Sequence, residues 1–92
     1  VVITRRVRAG CEAAFEQATA AWGETAATFP GRLAVFLLRP PPGGDEYGAV
    51  LRFRTADDWR AFRDWPEYRT WQERIRPLLA TPPTVLELHG LE

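Results

Sequence analysis

At 92 residues the chain has room for one domain, expected to span 1–92, and is short enough for a second copy to be needed to cover its surface. Its composition, 46% hydrophobic and 26% charged, is that of an ordinary globular protein. Twelve basic residues, all Arg, balance twelve acidic ones, so the positive excess of a dedicated nucleic-acid or anionic-membrane binder is missing.

In chain order, VVITRRVR predicts a strand of β-branched residues, and Ala9-Gly10 turns the chain. CEAAFEQATAAWGETAATF reads as a helix, because Phe15, Ala18, Trp22, Ala26 and Phe29 recur on one face. Pro30-Gly31 ends it. RLAVFLLRP is a second strand, apolar on both sides, so neither face is expected to be fully wet. PPPGGDE is a hairpin turn by composition. EYGAVLRFR is the third strand, with Tyr47, Ala49, Leu51 and Phe53 on one face. Thr55 is the predicted N-cap of the next helix, with Asp58 three residues on. Trp59 and Phe62 form that helix's apolar side. A fresh helix starts near Pro66, with Tyr68, Trp71, Ile75, Leu78 and Leu79 on one face. TVLELHGL reads as a fourth strand after Pro82-Pro83.

The order β-α-β-β-α-β predicts the ferredoxin-like α+β fold: a four-stranded antiparallel sheet with its helices on one face. Val50, Leu86, Leu88 and part of the second strand then fall on the uncovered face. An apolar uncovered face in a small domain predicts a homodimer packed across a two-fold axis.

The RNA-recognition motif shares this topology and requires a separate test. Its third strand runs basic-Gly-aromatic-small-aromatic-aliphatic-x-aromatic. Laid over this chain from Asp45, the pattern fits only at Tyr47, Gly48 and Val50, with Asp45 and Glu46 at the basic and Gly positions. The first strand offers no aromatic, and the tryptophans lie on helices. No nucleic-acid partner is expected.

WRAFRDWPEYRTW holds three of the four tryptophans. Taken singly, each ring reads as helix core. Together with Trp22 and Phe53, the rings Trp59, Phe62, Trp65, Tyr68 and Trp71 are expected to converge on one side of the sheet, where an apolar cleft is the default binding site. A small apolar ligand is therefore expected there. Cys11, the single cysteine, excludes an internal disulfide, fits a cytoplasmic location and falls in the predicted first turn of a helix. No apolar run is long enough to span a bilayer, so no membrane contact is expected. His89, the only histidine, is a candidate base from the last strand. No His, Cys or carboxylate spacing predicts a metal. Arg5, Arg6, Arg8, Arg52 and Arg54 read as solvated or interfacial, with Asp45 and Glu87 as cross-strand partners.

RRVRAGCEAAFE, FPGRLAVFLLRP, EYGAVLRFRT, DDWRAFRDWPEYRTW and the closing HGLE resemble, in that order, the antibiotic biosynthesis monooxygenase-like family of dimeric α/β barrels. The resemblance covers essentially the whole chain. It implies a ferredoxin-like protomer with a substrate pocket between helices and sheet. It also implies one of two activities: cofactor-free oxidation of polycyclic phenols, or haem breakdown. The chain departs from both patterns. Ala49 and Phe53 stand where quinone-forming relatives carry an Asn and a Trp, Trp59 corresponds to their helix Tyr, and Arg74 to a later Arg. Phe62 and Gln72 stand where haem-degrading relatives carry a Trp and an iron-binding His, and Gln is no substitute for imidazole.

The expected function is thus a cofactor-independent monooxygenase acting on a small apolar aromatic substrate. Its pocket is drawn from Trp22, Phe53, Trp59, Phe62, Trp65 and Tyr68, and its candidate proton-handling groups are His89, Tyr68 and Arg74. The alternative is a non-catalytic dimer that binds a small ligand or serves assembly.

Overall fold

A computed structural model of the chain describes residues 1–91, with Leu33 described by its backbone. Its elements are β1 (Val2–Arg6), α1 (Glu12–Ala26), β2 (Arg32–Leu38), β3 (Glu46–Phe53), α2 (Ala56–Arg63), α3 (Pro66–Ile75), a 3-10 turn (Arg76–Leu78) and β4 (Thr84–Leu86). The strands form one antiparallel sheet in the order β2-β3-β1-β4, the ferredoxin-like arrangement.

Register explains which residues are buried. Directly opposite residues share a face, so Leu37, Ala49, Ile3 and Val85 form one row across the sheet. Its central pair, Ala49 and Ile3, is buried under the helices. The neighbouring row, Phe36, Val50, Val2 and Leu86, points the other way. Phe36 at 58% and Leu86 at 52% exposure leave the ends of that row bare. The expected apolar open face is therefore present, and β2, an edge strand, keeps Phe36, Leu37 and Leu38 exposed.

Local signals account for the helix boundaries. The Thr55 hydroxyl accepts from the Asp58 amide at 3.1 Å, the predicted cap of α2. Pro66 opens α3, where its missing N–H is no loss. Helix α1 ends at Ala26, short of the sequence expectation, and the Thr28 hydroxyl donates back to the Thr25 carbonyl at 2.7 Å. Phe29 nevertheless reaches the core from beyond the helix, edge-on to Phe62 at 5.1 Å. Cys11 is the residue before α1 rather than in its first turn, and its side chain makes no capping bond.

Strand β4 is also shorter than TVLELHGL predicts. It ends opposite Val2, the first residue of β1, so Glu87 onwards has no paired strand beside it. Leu88 and His89 consequently lie outside the sheet. The core between sheet and helices centres on Phe62, which has no exposed surface. It packs against Trp22, Phe29, Phe53, Trp59, Trp65 and Tyr68 at ring separations of 4.9–6.3 Å. Among the described residues, no helix is long and apolar enough to cross a membrane.

Candidate functional site

Large rigid rings do not tile a small core completely. A cavity of about 80 Å³ remains between α1, α3 and the sheet. Ile3, Ala49 and Leu51 form its floor from the sheet, and Phe15, Thr19 and Trp22 face it from α1. Tyr68 and Trp71 close it from α3, and Leu37 and Leu38 line it from the edge strand. Trp22 stacks on Trp71 at 5.3 Å with the planes 13° apart. A dry cavity of about 150 Å³ can hold benzene, so one planar ring here requires some widening. Leu37 and Leu38 are exposed on an unpaired strand edge and are the side chains freest to give way.

The expected pocket residues divide between this cavity and its surroundings. Trp22 and Tyr68 line it. Phe62 and Trp65 back it from the core, with Trp65 5.8 Å from Trp22. Phe53 and Trp59 pack on each other at 5.7 Å and border a separate surface depression that also contains His89. Arg74 is exposed above a shallow depression on the outer side of the helices, beside Trp71. Trp71, one of the rings expected to gather here but not one of the expected pocket residues, is part of the cavity wall. Ala49 places a methyl group on that wall.

Arg5 is the main departure from the sequence reading. Alternation along β1 puts Ile3, Arg5 and Val7 on the helix side, and Arg5 is only 6% exposed rather than solvated. Its Nη2 donates to the Tyr68 hydroxyl at 3.3 Å, and its guanidinium carbon lies 4.8 Å from the centre of the Trp71 ring. Burial pulls its pKa below the usual arginine value, and the contact with Tyr68 opposes that pull. Alternation groups Arg5 with Ile3 and Val7 in the sequence, but which face the helices cover decided its burial. Arg6 and Arg8, grouped with it in the sequence, are exposed: Arg6 pairs with Asp45 at 3.3 Å, and the Arg8 Nε donates to the Leu79 carbonyl.

At the cavity's outer edge, Glu16 accepts from Arg39 at 2.5 Å and from the Tyr47 hydroxyl at 2.6 Å. These bonds, Arg39's first, hold the Glu16 carboxyl below the usual carboxylate range. The same bond raises the Tyr47 phenol above its ordinary value, with desolvation adding to it. Among the described residues, no group of three or more His, Cys, Asp or Glu is placed to hold a metal ion.

No functionally curated protein matches this sequence. Solved structures do. A Nitrosomonas europaea protein, provisionally assigned as an antibiotic biosynthesis monooxygenase, superposes with a TM-score of 0.89 at 21% identity, over 98% of this chain and 86% of that one. A Bordetella bronchiseptica protein with the same provisional assignment gives 0.83 at 26% identity, over 98% and 94%. SnoaB, a cofactor-independent oxygenase from Streptomyces nogalater, gives 0.78 at 20% identity, over 98% and 92%. These likenesses show a common fold. The sequence profile for antibiotic biosynthesis monooxygenases matches residues 1–74, from β1 into α3. With that match over most of its length, the chain belongs to the antibiotic biosynthesis monooxygenase family.

Proposed function

We propose that this chain, as a single domain, is a cofactor-independent monooxygenase for a small, mostly apolar aromatic substrate. The observation that carries the reading is the cavity walled by Trp22, Tyr68 and Trp71 between helices and sheet, in a chain of a monooxygenase family. In such a reaction an electron-rich, deprotonated ring carbon of the substrate reduces molecular oxygen directly. One oxygen atom becomes a ring carbonyl, the other leaves as water, and the carbon gives up its two hydrogens. The protein supplies an apolar enclosure, orientation against the Trp22–Trp71 stack and hydrogen bonds from Tyr68 and Arg5 to a developing oxyanion. A water held by the Tyr68 hydroxyl is the proton acceptor inside the cavity. His89 and Arg74 lie outside the cavity wall and are assigned no step within it.

We further infer a homodimer packed through the row Phe36, Val50, Val2 and Leu86, which would turn two open sheets into one closed barrel. The second reading, a non-catalytic ligand-binding dimer, is favoured by the Ala49 methyl where an amide would hold a phenolate.

Oxygen uptake with anthrone-type and other readily deprotonated phenols separates the two. Stoichiometric oxygen consumption with quinone formation supports the monooxygenase. Tryptophan quenching by the same compounds, without oxygen uptake, assigns the cavity to binding alone.

A further inference from the structure

Among the described residues no carboxylate pairs with Arg5, although it is the one charged side chain buried there. Its Nε has no hydrogen-bond partner, and its bond to Tyr68 is long at 3.3 Å. The face of Trp71 offsets part of the desolvation. A guanidinium stays protonated even so. An uncompensated buried charge destabilises a fold, and an anion beside Arg5 would relieve that cost.

The rest of the wall has the same bias. Thr19 Oγ1 and Trp71 Nε1 are also buried without partners, and both residues line the cavity. Tyr68 accepts from Arg5, which leaves its own O–H to donate. The wall includes a second arginine, Arg32, and no Asp, Glu, Asn or Gln. On its far side Arg5 borders a depression lined by Arg8, Gln72 and Arg76, again without an acidic residue.

Donors that outnumber acceptors call for a ligand that only accepts. We propose that the cavity binds a small aromatic carboxylate, with Arg5 as the residue that receives the carboxylate and the Trp22–Trp71 stack flanking its ring. A carboxylate has two acceptor oxygens and no donor, and its plane matches the guanidinium edge. The inference rests on the cavity being the substrate site, and it adds the substrate's class.

The test is equilibrium binding to the intact protein, read by tryptophan quenching and by thermal shift. The ligand pairs are benzoate with benzamide and phenylacetate with phenylacetamide, and 4-nitrophenolate is the competing anion. Each carboxylate is expected to bind about 10- to 100-fold tighter than its amide, the range of one or two charge-assisted hydrogen bonds. Arg5→Met is expected to erase that difference while leaving the free protein's melting temperature unchanged or higher, because it replaces a lone buried charge by an apolar side chain. Arg5→Lys keeps the charge without the fork and is expected to lose part of the preference, so the assignment does not hang on one variant's folding. Equal affinity for acid and amide, an unchanged preference in both variants, or tighter binding of 4-nitrophenolate than of benzoate would each overturn the proposal. Carboxylate selectivity without oxygen uptake sinks the monooxygenase reading and leaves this one standing. Turnover of neutral phenols without carboxylate selectivity does the reverse.

Discussion

Glu16 ties three parts of the chain together, standing on α1 and receiving Arg39 from the loop after β2 and Tyr47 from β3. Both partners favour its ionised form, so its folded-state pKa is depressed. The sign of the linkage follows. The contribution is complete above the unfolded carboxylate value of about 4.3 and disappears as pH falls through the lower folded value. Tyr47 has the opposite shift, so stability also falls as pH rises through the ordinary phenol range. Glu16→Gln is expected to be less stable than the parent at neutral pH, with the gap closing in acid. Urea midpoints measured at neutral and acidic pH check this, and a gap that persists in acid would refute it. The effect is small because the cluster is open to solvent. None of it was legible from the sequence, where Glu16 and Tyr47 are 31 residues apart.

Among the elements, the junction of β2, β3 and α2 is held at Gly31. Its φ of +90° is a region side chains rarely occupy, and an added Cβ would come within 2.6 Å of the Asp58 carboxyl carbon on α2. The Gly31 carbonyl also accepts from the Arg54 amide at the end of β3. Gly31→Ala is therefore expected to destabilise the protein by at least about 1–2 kcal/mol, read from denaturant unfolding. Wild-type stability in that variant would mean the junction relaxes freely. Pro30-Gly31 was legible as a stop signal. Its second role, making room for Asp58, depends on a helix that begins 25 residues later, which no local pattern encodes. The same limit explains β4, whose alternating sequence continues past Leu86 while its pairing with β1 does not.

For the whole molecule, the open face of the sheet is the decisive feature. Phe36 and Leu86 stand at opposite ends of one apolar row and are both more than half exposed. A charge at each end would be buried unpaired in a face-to-face dimer, at a cost of several kcal/mol per ion. The double variant Phe36→Glu, Leu86→Glu is expected to run as a monomer in light scattering and to keep the parent's far-ultraviolet circular dichroism. A parent protein that is itself monomeric at micromolar concentration would overturn the proposed dimer.

Hydrophobic spacing and local caps by themselves determined the element order, the Thr55 and Pro66 helix starts, the apolar open face and the side of the sheet on which the aromatics gather. Each is a short-range property, set by residues a few positions apart. Only the tertiary structure decided which rings fill space and which border it. That choice depends on how side chains from α1, α3 and three strands meet, and it separates Trp22, Tyr68 and Trp71 from Phe62. It also turned Arg5 from a surface charge into a buried one, because burial belongs to the packed layers and not to the residue type.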